Sequence, residues 1–241
     1  MTDPVDATYP DPAERNAYGD CRRCPALVDC RERISWGVGP ADAALVVVGE
    51  APGAGDPDAG TWSGGNRTGM AYTSRASGRK VRAMVADLGY EGEAYYTNAV
   101  KCFPCAGPER ANGGDGGDGG DGGDGGDGEP AAATGASATN REPTAEELAN
   151  CRPYLLDELE SVAPDWVLAT GKHATASLLA VDGRDVEGFL DRVLEPVSLA
   201  GVDPPVLPLL HPSYQEVWLS RLDHTRASYL GEIRAVFEGR R

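Results

Sequence analysis

The chain has 241 residues and a formal net charge of −16. That length supports one sizeable core, and no apolar run approaches the roughly 18 residues a membrane span needs. The acid excess argues against simple electrostatic adsorption to nucleic acid, yet lysine occurs only at Lys80, Lys101 and Lys172 while arginine is plentiful; such a surface suits a halophilic, salt-rich cytosol, where screening lengths shrink to a few ångströms.

In chain order, residues 1–20 are acidic and proline-containing and lack the apolar stretch of a secretory leader, so a cytoplasmic, non-membrane protein is expected. Cys21-Arg22-Arg23-Cys24 follows as a C-x-x-C pair. Leu45-Val46-Val47-Val48, closed by Gly49, is a short continuous apolar run that suits a buried parallel strand. Residues 79–88 carry Val81, Met84, Val85 and Leu88 at helical spacing, and residues 94–100 read as a second strand. Residues 113–127 are five copies of Gly-Gly-Asp. With no apolar side chain to bury and a large backbone entropy to lose, a disordered Gly/Asp-rich insert is expected over 106–139. Thr144 with Glu147 three residues on forms a capping-box pattern that opens a helix reaching about Val162. Trp166-Val167-Leu168-Ala169 predicts a third strand, followed by Gly171 and a helix to about Leu179. Val206-Leu207-Pro208-Leu209-Leu210 predicts a fourth strand, and a last helix spans about 224–237.

Alternating strands and helices predict one α/β domain over 1–241, a three-layer α/β/α arrangement around a mostly parallel four-stranded sheet. Ligands of such sheets gather beyond the carboxyl ends of the strands. Three strand ends carry polar clusters there: Gly49-Glu50, Thr97-Asn98 and His211-Pro212-Ser213. In a cytosolic chain, six cysteines suggest metal binding or catalysis before disulfides. Cys21, Cys24, Cys102 and Cys151 come from three separate segments and could bind zinc or a 4Fe–4S cluster, which the spacing does not decide. Cys30 and Cys105 fit ordinary buried cysteines better.

Taken in order, Gly49-Glu50-Ala51-Pro52-Gly53, Thr97-Asn98-Ala99-Val100-Lys101-Cys102, Asn140-Arg141-Glu142-Pro143-Thr144, Cys151-Arg152-Pro153-Tyr154-Leu155 and His211-Pro212-Ser213 resemble the family-four uracil-DNA glycosylases, the iron–sulfur type. The resemblance runs from Cys21 to about Arg221. It implies a 4Fe–4S cluster whose ligand positions fall on Cys21, Cys24, Cys102 and Cys151. The family-four pattern continues after its first motif with an acidic pair and a stacking Phe; this chain reads Ala54-Gly55-Asp56-Pro57-Asp58 without the Phe. Gly64-Gly65-Asn66-Arg67-Thr68-Gly69 instead looks like the family-five enzymes, which accept a wider set of damaged bases, although Ser74-Arg75 stand where that family has an aspartate.

The implied activity is monofunctional hydrolysis of the N-glycosidic bond of uracil in DNA, by a monomer acting on DNA that contains uracil or another deaminated base. Two alternatives are a glycosylase for other deaminated bases and a non-catalytic iron–sulfur DNA-binding protein. Cleavage requires an extruded base, stabilisation of the charge it carries away, and water for the sugar cation. A neutral His211 suits a donor to uracil O2, and the Asn98 amide can read O4 and N3–H together. Glu50 and Asp56 are the candidates for orienting water or meeting the sugar cation. Gly49 and Gly53 permit close backbone approach, Ser213 extends the His211 cluster, and Tyr72, then Trp62, are the stacking aromatics. Arg67, Lys101 and Arg221 are candidate phosphate contacts, while His173 and His224 are expected to pack or cap helices.

Overall fold

The computed structural model describes residues 10–11, 15, 17–106 and 140–239. The insert expected over 106–139 lies, from residue 107 onward, outside the described residues. The strands are β1 (Leu45–Gly49), β2 (Ala94–Asn98), β3 (Trp166–Thr170), β4 (Val197–Leu199) and β5 (Val202–Leu209). They form one sheet in the order β2-β1-β3-β5-β4. All pairings are parallel except β4 against β5. The mostly parallel α/β sheet is therefore as the sequence implies, with one more strand than the four expected. The extra strand is a three-residue antiparallel edge, too short to show a period of its own. Its partner also starts four residues before the expected Val206, through Asp203-Pro204-Pro205. Proline lacks the ladder N–H, which is why this stretch did not read as strand.

The helices are α1 (Pro25–Cys30), α2 (Gly65–Thr68), α3 (Ser77–Leu88), α4 (Ala145–Val162), α5 (Lys172–Leu179), α6 (Phe189–Arg192), α7 (Gln215–Arg221) and α8 (Arg226–Glu238). Side chains alternate across each strand, and that alternation sorts the core into two layers. Leu45, Val47, Tyr96, Leu168, Leu207 and Leu209 face Val81, Met84 and Val85 of α3 and Tyr229, Ile233 and Phe237 of α8. Val46, Val48, Tyr95, Val167, Ala169 and Val206 face Leu155 and Leu159 of α4 and Ala174 and Leu178 of α5. Every residue of β1, β2 and β3 is buried, as parallel strands covered on both faces must be.

Register brings the strand ends to one edge: Gly49 pairs with Asn98, Val48 with Ala169, and Thr170 with Leu209. The chain leaves β1 toward β2 on one side and returns to β3 on the other, so the switch point of the sheet lies beside Gly49. Among the described residues no helix is long and apolar enough to cross a membrane.

The capping box at α4 forms as its sequence suggests. Thr144 Oγ1 accepts from the Glu147 N–H at 3.2 Å, and Glu147 accepts from the Thr144 N–H at 2.8 Å. Arg141 adds a bidentate pair on the same carboxylate, which holds it below the usual Glu range against the opposing effect of burial. Thr144→Ala is expected to cost about 1 kcal/mol. For a chain of this size that is a fall of roughly 2–4 °C in Tm, read by thermal unfolding.

Candidate active site

A cavity of about 50 Å³ opens at the sheet edge, lined by Gly49, Glu50, Gly53, Tyr72, Ser77, Asn98, Thr170 and His211 among others. It continues into a groove of about 550 Å³ that shares Glu50, Gly53, Ser77 and His211 and adds Arg141, Lys172, His173, Ser213, Tyr214 and Trp218.

His211 follows the end of β5. The Tyr229 hydroxyl accepts from the Leu210 N–H at 3.0 Å and fixes the strand end just before it. The Ser213 N–H donates to His211 Nδ1 at 3.2 Å, so the neutral ring carries its proton on Nε2. Gly171, at φ 95°, packs against the ring; a Cβ there would lie 3.1 Å from His211 Cβ. Burial, and then the neighbouring His173, lower the His211 pKa. Position and chemistry therefore give a neutral imidazole with an N–H to donate.

Asn98 ends β2 and is buried. Its Nδ2 has no hydrogen-bond partner among the described residues. A buried amide donor without a partner is costly, and at a cavity wall it marks where a ligand acceptor belongs. Gly49 makes room for this side chain: a Cβ there would lie 2.5 Å from Asn98 Oδ1 and 2.8 Å from the Tyr72 hydroxyl.

Tyr72 lies in the left-handed region at φ 53°. Arg82 restrains it, donating to the Tyr72 carbonyl at 3.0 Å and the Ala71 carbonyl at 3.3 Å. The Thr170 hydroxyl donates to the Val48 carbonyl at 3.2 Å and accepts from the Tyr72 hydroxyl at 2.5 Å. Burial raises the Tyr72 pKa, which keeps that donor protonated. Tyr72 meets Tyr96 edge-on at 5.8 Å.

Glu50 is partly buried between the cavity and the groove. Burial raises its pKa, His173 lowers it, and Glu142 raises it again. His173 lies 3.4 Å from the Glu142 carboxylate. It was expected only to pack or cap a helix, yet it lines the groove; a histidine at a helix start gives no sequence signal of what it faces. Thr170, which orients Tyr72, likewise ends an otherwise apolar strand and gave no signal.

Other expected residues fall elsewhere. Asp56 lies outside both spaces and accepts from the Asp58 N–H at 2.9 Å, capping a short 3₁₀ turn (Pro57–Trp62). Ser213 reaches the groove but not the cavity. Trp62 is buried with the Arg79 guanidinium 5.4 Å from its ring centre and does not line the cavity. Lys101 is 1% exposed and pairs with Glu158, so it is no phosphate contact; the sequence alone gave no sign of that buried carboxylate. Arg67 lies 3.4 Å from Glu32, and the Arg221 guanidinium covers Trp218 at 4.7 Å. His224 sits at the start of α8, 3.4 Å from Ser228 Oγ.

Beside this edge, Cys21, Cys24, Cys102 and Cys151 carry free thiols, the last two buried. Cys102 and Cys151 pack with Leu27, Ala99, Val100 and Leu148 in a small apolar cluster that Cys24 also touches. Burial pushes the Cys24 and Cys102 thiols up and Cys151 to about 11, and each is raised further by neighbouring cysteines. Polar hydrogens point at the sulfurs: Asn150 Nδ2 lies 3.4 Å from Cys24 and Arg31 Nη1 3.3 Å from Cys102. Among the described residues no group of three or more His, Cys, Asp or Glu is arranged to hold a single metal ion. Cys30 and Cys105 are not the ordinary buried cysteines expected: they are partly exposed and joined by a disulfide across 75 residues. Expecting reduced thiols in a cytosolic chain hid that pairing.

A family model described as the uracil DNA glycosylase superfamily matches residues 36–234. The chain is similar to the type-5 uracil-DNA glycosylase of Pyrobaculum aerophilum, 29% identical over 236 residues covering 86% of this chain and 84% of that one. It is also 29% identical over 195 residues to the type-4 uracil-DNA glycosylase of Thermotoga maritima (80% and 77% covered). To the type-4 enzyme of Archaeoglobus fulgidus it is 26% identical over 202 residues (80% and 76% covered).

The His211 ring is expected to titrate below the ordinary value of 6.5, and His173→Gln to move it up by removing a neighbouring positive charge. Ring-proton NMR across pH 4–8 (roughly the range histidine titrates in) reads both. The sign for stability follows: the folded chain binds fewer protons here than the unfolded one. His211's contribution is thus full above 6.5 and is lost as pH falls from there through the lower folded value.

Proposed function

The chain belongs to the uracil DNA glycosylase superfamily, and we propose that it is a monofunctional glycosylase that hydrolyses the N-glycosidic bond of uracil in DNA. One observation carries the assignment to this cavity: the partnerless buried Asn98 Nδ2 and the neutral His211 line one small space at the sheet's switch point. The first suits O4 of uracil, with Asn98 Oδ1 left to accept N3–H; cytosine would present a donor to a donor.

In the reaction water adds its oxygen to C1′ as the bond from C1′ to N1 breaks; the base leaves with the electron pair, and the proton that the water loses, taken up by Glu50 or solvent, balances the one the base anion gains. His211 Nε2–H donates to O2 as that charge develops, a contribution realised only in the transition state. Glu50, when ionised, stabilises the cationic sugar and orients the water. Tyr72 forms a wall against the base. No lysine lines the cavity, which supports hydrolysis over a Schiff-base route. Lys172 offers a cation, and Tyr214 and Trp218 aromatic faces, to the flanking strand in the groove.

The same proposal includes a 4Fe–4S cluster on Cys21, Cys24, Cys102 and Cys151. The residues fit it: an all-sulfur donor set, half of it buried, with N–H groups directed at the sulfurs. When bound, the cluster supplies a cross-link among three chain segments and no step of the hydrolysis. A monomer working in a salt-rich cytoplasm completes the reading, supported by the acidic, lysine-poor composition.

His211→Ala is expected to lower single-turnover excision from a uracil oligonucleotide by about a hundredfold with little change in DNA affinity. A wild-type rate in the variant places the chemistry elsewhere. Anaerobically purified protein is expected to hold about four irons per chain with visible absorbance, lost in Cys102→Ser and Cys151→Ser and kept in Cys30→Ser and Cys105→Ser. Stoichiometric zinc in colourless protein refutes the cluster.

A further inference from the structure

A buried ion pair lies under the cavity and takes no part in the chemistry above. Lys101 is 1% exposed and Glu158, on α4, 0%. Lys101 Nζ lies 2.6 Å from Glu158 Oε2, 2.5 Å from Thr97 Oγ1 and 2.7 Å from the Asn98 carbonyl, which engages all three of its hydrogens. The carboxylate is filled as well: the Thr97 hydroxyl donates at 2.6 Å and the Gly37 N–H at 3.0 Å. Stability is a poor reason to keep such a pair, because replacing both charges by neutral groups of similar volume is often neutral or stabilising.

Its geometry supplies a better one. The peptide that follows Asn98 is held on both sides: the Ala99 N–H donates to the Gly49 carbonyl at 2.7 Å, and the Asn98 carbonyl accepts from the ammonium. With that peptide plane fixed and the preceding residues held in β2 against β1, the direction of the Asn98 Cα–Cβ bond is fixed too. Lys101 is itself tied down, its carbonyl accepting from the Ser35 N–H at 2.7 Å. Resting on the reading of the cavity as the base site, we propose that Lys101, held by Glu158, is a positioning residue whose ammonium locks the Asn98–Ala99 peptide and aims the Asn98 amide at the base.

The test is Lys101→Met combined with Glu158→Gln in the full chain. The glutamine keeps an acceptor for the Gly37 N–H, and no charge is left unpaired. Folding and iron content are expected to stay near wild type, while single-turnover uracil excision falls about tenfold or more and the preference for uracil over cytosine narrows. Glu158→Gln alone strands the ammonium and is expected to lose stability, which separates the two effects. Thr97→Val removes one acceptor at nearly constant shape; a severalfold loss of rate is expected, and it decides the matter if the double variant does not fold. Wild-type rate and base preference in the folded variants overturn the proposal. Should wild-type protein excise no base, the active-site reading fails instead. Hydrogen exchange of the Ala99 amide then decides: faster exchange in the variant with β1 unchanged upholds the lock, and unchanged exchange overturns it.

Discussion

A side chain at Gly49 would collide with both Asn98 and the Tyr72 hydroxyl. The whole edge of the sheet is built around that missing methyl group. β1 is the inner strand between β2 and β3, so its last residue is the point on which the flanking strand ends converge. Only because nothing projects there can an amide from β2 and a phenol from the loop between α2 and α3 share one small space. Tyr72 holds a backbone conformation unfavourable for a bulky residue, and the Arg82 contacts and the Thr170 bridge keep it there. The strain is local, and the restraint comes from rigid elements on either side.

The sheet and its ligand edge were legible because they rest on local signals. Apolar runs closed by Gly49 or by the His211 cluster mark parallel strands and their ends, and Thr144 with Glu147 marks a helix start. What escaped was set by distance in sequence. Lys101 reads as one more cation in a polar string until α4 brings Glu158 against it. Cys30 and Cys105 read as spare thiols until the fold closes the separation between them. Asp56 looked like a site carboxylate because it follows Gly49-Glu50-Ala51-Pro52-Gly53, but the loop turns it toward the Asp58 amide. His173 and Thr170 acquire meaning only from what faces them.

The charge pattern is layered in a way that composition conceals. The net charge is strongly negative, yet two cations, Arg82 and the rare lysine Lys101, sit in the interior against the elements that form the cavity. Exposed pairs such as Arg226 with Asp87 weaken as salt rises, whereas buried ones are screened far less. Interactions that shape the site are therefore insulated from changes in ionic strength.

Cys105 and Asn140 pair as an isolated antiparallel bridge, and the Arg141 N–H donates to the Pro104 carbonyl at 2.9 Å. The chain thus departs and returns at adjoining points, like a road that leaves a town and re-enters by the same gate. The bridge lets the intervening length change at small cost to the folded body: the segments carrying Cys102 on one side and Cys151 on the other stay joined at one place, and each doubling of the span adds only about 0.6 kcal/mol of closure entropy.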